Sequence, residues 1–144
     1  MTLADALHIE QIEALIIPGG PIRPQQPPLT NLICKLDQEK RLLAAICNGP
    51  QYLGRAGILA RHKFTTSYSH EKIAELGNDN PFPMQNYVDQ RVVRDGHVIT
   101  AKGRAFVDFA FEIFTYLRIF QENPSEQLRL FQDIVNSRER ISSE

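Results

Sequence analysis

The residue of this sequence best placed to do chemistry is Cys47, which ends the apolar run from Leu42 to Ile46 and is followed at once by Asn48, Gly49 and Pro50. The run is too short for a typical helix and reads as a buried strand, while Pro50 suits a first helical turn. Cys47 therefore falls on a sharp strand-to-helix turn. Such a turn holds its central residue in a strained conformation and projects the side chain beside a helix N-terminus, a placement that favours a thiolate. Ala45 and Gly49, two residues to either side, are small enough for it. An acyl or hemithioacetal adduct on the sulfur would carry negative charge on oxygen and would need preorganised donors about 3 Å away. The backbone N–H of Asn48 is one candidate. The other is that of Gly20, in Pro18-Gly19-Gly20-Pro21, where glycine lets the backbone approach closely. Each feature also has a plainer reading: a buried cysteine packed as a small apolar residue, and Gly19-Gly20 as a turn and nothing more.

The elements that must position these residues alternate. Ala14 to Ile17 reads as a strand buried on both faces and ended by the Pro-Gly-Gly-Pro turn. A proline-rich loop over residues 23–28 follows. Thr30 is the expected cap of an amphipathic helix with Leu32, Ile33 and Leu36 on its inner face. After the cysteine turn, Tyr52, Leu53 and Ala56 face inward on a helix closed by Gly57. Phe64 to Ser67 is expected as a third short strand, and Ser69 as the cap of a helix ending at Gly77. Val88 to Val93 and Val98 to Ala101 flank Asp95-Gly96, a hairpin signal. Ala105 to Phe120 is the most hydrophobic helix, expected to be nearly buried, and Asn123-Pro124-Ser125-Glu126 opens a last helix. This pattern predicts a single α/β domain over residues 1–144, with 123–144 as an extra C-terminal helix and a mostly parallel sheet covered on both faces. Ligands bind at the carboxyl ends of strands in such sheets, so Gly19-Gly20 and Cys47-Asn48 are expected to share one crevice.

Composition excludes several classes. The net charge of −1, with its basic residues scattered, provides no stripe for phosphate contacts, so nucleic acid is not expected as a partner. No stretch reaches the length of a bilayer span, and no cationic start leads into an apolar run, so a cytoplasmic protein without membrane contact is expected. Cys34 and Cys47 are expected as free thiols, Cys34 packed on its helix. The four histidines and two cysteines form no pair at metal-ligand spacing, so neither metal nor cofactor is expected. His8, His62 and His97 are expected on the surface.

Four segments together carry a resemblance: Leu15-Ile16-Ile17-Pro18-Gly19-Gly20-Pro21, Ala44-Ala45-Ile46-Cys47-Asn48-Gly49-Pro50, Ala56-Gly57-Ile58-Leu59, and Asp95 through Gly103. In order and spacing, from about Leu3 to Leu117, the chain resembles the ThiJ/PfpI superfamily. The resemblance implies a flavodoxin-like three-layer sandwich, related to class I glutamine amidotransferases and usually a homodimer. Its members include glyoxalases, reported deglycases, an isonitrile hydratase, peptidases and redox-responsive proteins. It further implies that Cys47 is the nucleophile and that Gly20 and Asn48, with Gly19 beside them, form the oxyanion and substrate site. Amidotransferase activity itself is not expected, because Thr100 to Arg104 contains no late histidine and glutamate.

The chain departs from the family in two places. Family members begin with a strand, a helix and a further strand before the segment matching Thr2 to Asp5, and place there a glutamate that contacts the cysteine. Glu10 and Glu13 precede the first strand here and do not replace it. An apolar edge is therefore expected at Ala14 to Ile17, with the chain either associating through it or forming part of a longer product. Peptidase-like members place histidine where Asn48 stands, and others place one at Ser67; His70, three residues on, is the candidate base. The leading expectation is a cofactor-independent enzyme acting on small carbonyl compounds by glyoxalase- or deglycase-like hydrolysis or hydration. The alternatives are a redox-responsive or ligand-binding protein whose Cys47 is oxidised, and a fragment with no activity of its own.

Overall fold

The computed structural model describes residues 2–9 and 11–118, together with Arg129, Asp133 and Asn136. Four strands, β1 (Ala14–Ile17), β2 (Leu42–Ile46), β3 (Val92–Asp95) and β4 (Val98–Ala101), form one sheet in the order β1-β2-β4-β3. The pairs β1–β2 and β2–β4 are parallel, and β3–β4 is an antiparallel hairpin. Over the described residues up to 118 they are accompanied by the helices α1 (Leu3–Ala6), α2 (Pro27–Gln38), α3 (Pro50–Arg55), α4 (His70–Glu75) and α5 (Phe106–Leu117). Short 3-10 turns fill several of the connections.

The side-chain alternation of β2 explains the layering. Leu43 and Ala45 point into one core with Leu32, Ile33 and Leu36 of α2, Leu53 of α3 and Ile73 of α4. Leu42 and Ala44 point into the other, with Ile99, Ala101 and Phe109 and Ile113 of α5. These four of the five β2 residues are fully buried, which is why a central parallel strand reads as a continuous apolar run rather than an alternating one. Burying each of these two leucines is worth about 1.5–3 kcal/mol. The expected three-layer α/β sandwich with a mostly parallel sheet is what the chain adopts.

Several boundaries differ from expectation, each for a local reason. Helix α2 starts at Pro27, with Gln26 rather than Thr30 at its N-cap, because prolines at the first two helical positions surrender only amides the helix leaves unpaired anyway. Helix α1 was not anticipated; the Thr2 hydroxyl accepts from the Asp5 amide while the Asp5 carboxylate accepts from the Thr2 amide. Strand β3 begins at Val92, and Asp95 pairs with Val98, so the two-residue loop is Gly96-His97. Phe64 to Ser67 is not a sheet strand and makes a single bridge, Phe64 to Tyr87. The Thr65 amide donates to the Thr100 hydroxyl instead, and the Thr66 hydroxyl and Ser67 amide donate to the Cys47 carbonyl. Helix α5 is amphipathic rather than nearly buried: Phe109 and Ile113 pack into the core against the sheet and Val107 is buried, while Phe106 is 50% exposed. The helix expected over 123–144 lies, apart from Arg129, Asp133 and Asn136, outside the described residues.

Strand β1 pairs only with β2 among the described residues and so stands at an edge. Ile17 is buried but Ile16 is 51% exposed, so the strand is not buried on both faces. The apolar edge expected there is present.

Candidate active site

Cys47 lies one residue past the carboxyl end of β2 and three residues before α3, with φ at +62°. A side chain with a Cβ pays about 1–2 kcal/mol for that left-handed conformation, so the surroundings must fix it. They do so from two sides. The Cys47 amide donates to the Ala101 carbonyl of β4 at 2.9 Å, and the Cys47 carbonyl accepts from the Ser67 amide at 2.9 Å and the Thr66 hydroxyl at 2.8 Å. The segment expected to be a third strand instead serves as a brace for the elbow.

Glycines make room for the sulfur. A Cβ on Gly19 would lie 2.8 Å from Cys47 Cβ and 3.2 Å from Sγ, and one on Gly103 would lie 3.1 Å from Sγ. A Cβ on Gly49 would meet the carbonyl oxygens of Ile17 at 2.7 Å and Pro18 at 2.9 Å. The parallel pairing of β1 and β2 thus brings Gly19 against Cys47, as the shared crevice requires. Asn48 uses its side chain to hold this arrangement, Nδ2 donating to the Gly20 carbonyl at 3.1 Å, and Gln51 Nε2 donates to the Pro21 carbonyl at 3.3 Å. No hydrogen bond from the backbone N–H of Gly20 or Asn48 is found among the described residues, which leaves both amides available as donors.

Beyond the sulfur, Gly103 N–H donates to Ser67 Oγ at 2.7 Å, so Ser67 and Cys47 flank the same glycine. Ser67 opens a cavity of about 460 Å³ that also includes Tyr68, His70, Tyr87, Lys102 and Arg104 on its walls. His70 is the first residue of α4, capped by Ser69, whose hydroxyl accepts from the Lys72 amide. Its ring packs edge-on against Tyr87 at 5.2 Å. The structure therefore places His70 on the cavity wall, and no contact between it and Cys47 is found among the described residues. Lys102 pairs with Asp89, whose carboxyl that hydrogen bond holds below its usual range.

Tyr68 is the residue that the spacing in the sequence undervalued. Its ring is buried, and its hydroxyl is buried with no hydrogen-bond partner among the described residues. Burial raises the phenol above its ordinary value, Arg55 opposes the shift, and charge on Cys47 adds to it. Nothing in the spacing of Thr66-Ser67-Tyr68-Ser69 marks Tyr68 above its neighbours. Glu13 stands at the amino end of β1, its carbonyl accepting from Leu42, at the end of the sheet remote from Cys47. Glu10 lies outside the described residues.

His97 and His62 are not surface residues. His97 is 6% exposed and its Nε2 lies 2.7 Å from Asp37 Oδ1, while the His62 side chain is 13% exposed. Asp37, His62 and His97 lie close enough together to hold an ion, although 25 and 35 residues separate them along the chain, intervals no local spacing rule detects. Cys34 and Cys47 are both free and half-buried. Among the described residues, no helix is long and apolar enough to cross a membrane.

A cysteine on a left-handed turn between a central parallel strand and a helix, roofed by glycines from the ends of neighbouring strands, defines a cysteine-elbow α/β protein of flavodoxin-like fold. The chain belongs to the DJ-1/PfpI family, whose model matches residues 2–116. A deglycase from Pyrococcus horikoshii is 30% identical over 120 residues, covering 81% of this chain and 64% of that protein. An isonitrile hydratase from Pseudomonas putida is 30% identical over 108 residues, covering 71% of this chain and 44% of the hydratase. A solved DJ-1 superfamily protein from Agrobacterium tumefaciens is 30% identical with a TM-score of 0.72, covering 93% of this chain and 70% of its own. The chain thus spans less than two thirds of the length of these curated relatives.

Proposed function

We propose that this protein is a cofactor-independent enzyme in which Cys47 attacks the carbonyl carbon of a small aldehyde or ketone. The observation that carries the reading is the elbow itself: a strained cysteine with its amide and carbonyl both tied down and glycine on either side of its sulfur. Strain maintained by this many contacts is characteristic of functional positions. In the proposed step Sγ forms a bond to the carbonyl carbon, and the C=O π electrons move onto oxygen. The amides of Gly20 and Asn48 stabilise that oxygen, and the thiol proton ends on it, giving a neutral hemithioacetal. Tyr68, with its unpartnered hydroxyl, relays this proton, and His70 on the cavity wall is the candidate base for the later transfer between carbons that a glyoxalase-like outcome needs. Similarity to a deglycase and an isonitrile hydratase supports chemistry of this class, hydrolysis or hydration of a small electrophile.

The test is turnover of methylglyoxal by the full chain. Wild type should convert it to a hydroxy acid, Cys47→Ala should lose all activity, and Tyr68→Phe should slow it. Undiminished turnover in Cys47→Ala would remove the cysteine from the mechanism.

A further inference from the structure

At the end of the sheet opposite Cys47, three side chains far apart in sequence converge. Asp37 lies in the last turn of α2, His62 just after the 3-10 turn Ile58–Arg61, and His97 in the loop between β3 and β4. The Leu43 amide donates to the His97 carbonyl, and four strand residues at about 3.3 Å each separate that point from the elbow, a distance of roughly 13 Å. One ligand atom from each of the three residues lies within 4.8 Å of the other two. Asp37 and His97 are buried, and the two imidazoles meet edge-on at 5.1 Å. His62 Nδ1 is buried with no hydrogen-bond partner among the described residues, and Asp95 Oδ1, which faces it, is 3.7 Å away. Folded proteins leave few such nitrogens unpaired, and an ion is one of the recognised reasons.

We propose that Asp37, His62 and His97 form a binding site for a divalent transition ion of the zinc type. Two imidazoles and one carboxylate suit such an ion, whereas magnesium and calcium call for oxygen ligands throughout. Asp37 and Asp95 supply two carboxylates there, the first paired with Arg61. Bonds of about 2.0–2.2 Å in a tetrahedral arrangement place ligand atoms roughly 3.3 Å apart. The Asp37–His97 contact of 2.7 Å must open by a fraction of an ångström and His62 must close by more than that. A carboxylate oxygen can only accept, so His97 Nε2–H donates to Asp37 in the metal-free protein. On binding, His97 takes the tautomer with its proton on Nδ1, and the Nε2 lone pair so exposed takes the ion. The ion would join α2, the bend at residues 61–63 and the hairpin loop, pinning the lower rim of the sheet without entering the chemistry at Cys47.

Calorimetric titration of the chelator-stripped full chain with Zn²⁺ tests this. One equivalent should bind in wild type and in the Cys34→Ser/Cys47→Ser double variant, and the thermal midpoint should rise with the ion in both. His97 is buried and its loss threatens the fold, so His62→Gln carries the test: affinity should fall at least tenfold and the thermal shift should vanish. Arg61→Ala, which removes a positive neighbour from Asp37, should tighten binding several fold. No uptake by wild type, uptake unchanged in His62→Gln, or uptake abolished by removing the two thiols would each overturn the proposal.

Discussion

Gly19→Ala puts the geometry of the elbow to a quantitative test. The added methyl would lie 2.8 Å from Cys47 Cβ and 3.2 Å from Sγ, whereas carbon atoms in favourable contact sit about 3.5–4.0 Å apart, so something must move by nearly 1 Å. Cys47 cannot move freely, because its amide and carbonyl are held by Ala101, Thr66 and Ser67. The Gly20-Pro21 segment is held in turn by Asn48 and Gln51. Overpacking of this kind costs about 1–3 kcal/mol, which for a chain of this length lowers the thermal midpoint by roughly 3–10 °C. The same displacement misplaces the sulfur, and a 1 Å error at a reacting atom costs on the order of 100-fold in rate. The assay pairs thermal unfolding with iodoacetamide labelling of Cys47, separated from Cys34 by mass mapping. Gly103→Ala, with its nearest contact at 3.1 Å to the sulfur, should show the same effects more weakly. A Gly19→Ala protein with wild-type melting and wild-type Cys47 labelling would refute the crowding on which the argument depends.

Two further outcomes follow from groups around the elbow. Tyr68→Phe removes a buried hydroxyl without a partner and should raise unfolding free energy by about 1 kcal/mol, even as it slows turnover. Because burial raises the Tyr68 phenol in the folded chain, its contribution is complete below the ordinary value of about 10 and is lost as pH rises through the folded value. Stability of wild type to urea should therefore begin to fall as pH rises above about 10, and the variant's should fall less; parallel alkaline limbs would contradict this. At Cys47 itself, the left-handed backbone makes Cys47→Gly more stable than Cys47→Ala by about 1 kcal/mol, and denaturation midpoints in the opposite order would show that the turn is not strained in solution.

The elbow was legible in the sequence because its requirements are local: an apolar run, a cysteine, small residues at Ala45 and Gly49, and a proline to start the helix. The Ser69 cap and the left-handed Gly57 were legible for the same reason. What could not be read depended on partners distant in the chain. Thr65, Thr66 and Ser67 carry strand-like residue types, but their hydrogen bonds go to Thr100 and to the Cys47 carbonyl, so the expected ladder never forms. His97 sits in a hairpin loop, ordinarily a solvated place, and is buried only because Asp37 at the end of α2 reaches it. Helix α5 is rich in phenylalanine all round, yet it sinks Phe109 and Ile113 into the core against the sheet and leaves Phe106 half-exposed.

The brace on the elbow separates two properties that usually travel together. Cys47 is a free, half-buried thiol, yet its amide is bonded to β4 and its carbonyl to two donors from residues 66–67. Backbone hydrogens secured in this way open only when neighbouring structure opens with them, so the Cys47 amide should rank among the slowest in the chain to exchange with deuterium. A spectroscopic tag joined to its sulfur would then behave as a stiff pointer anchored in the sheet. Its tumbling would report the contents of the adjoining chamber and not the looseness of its own attachment.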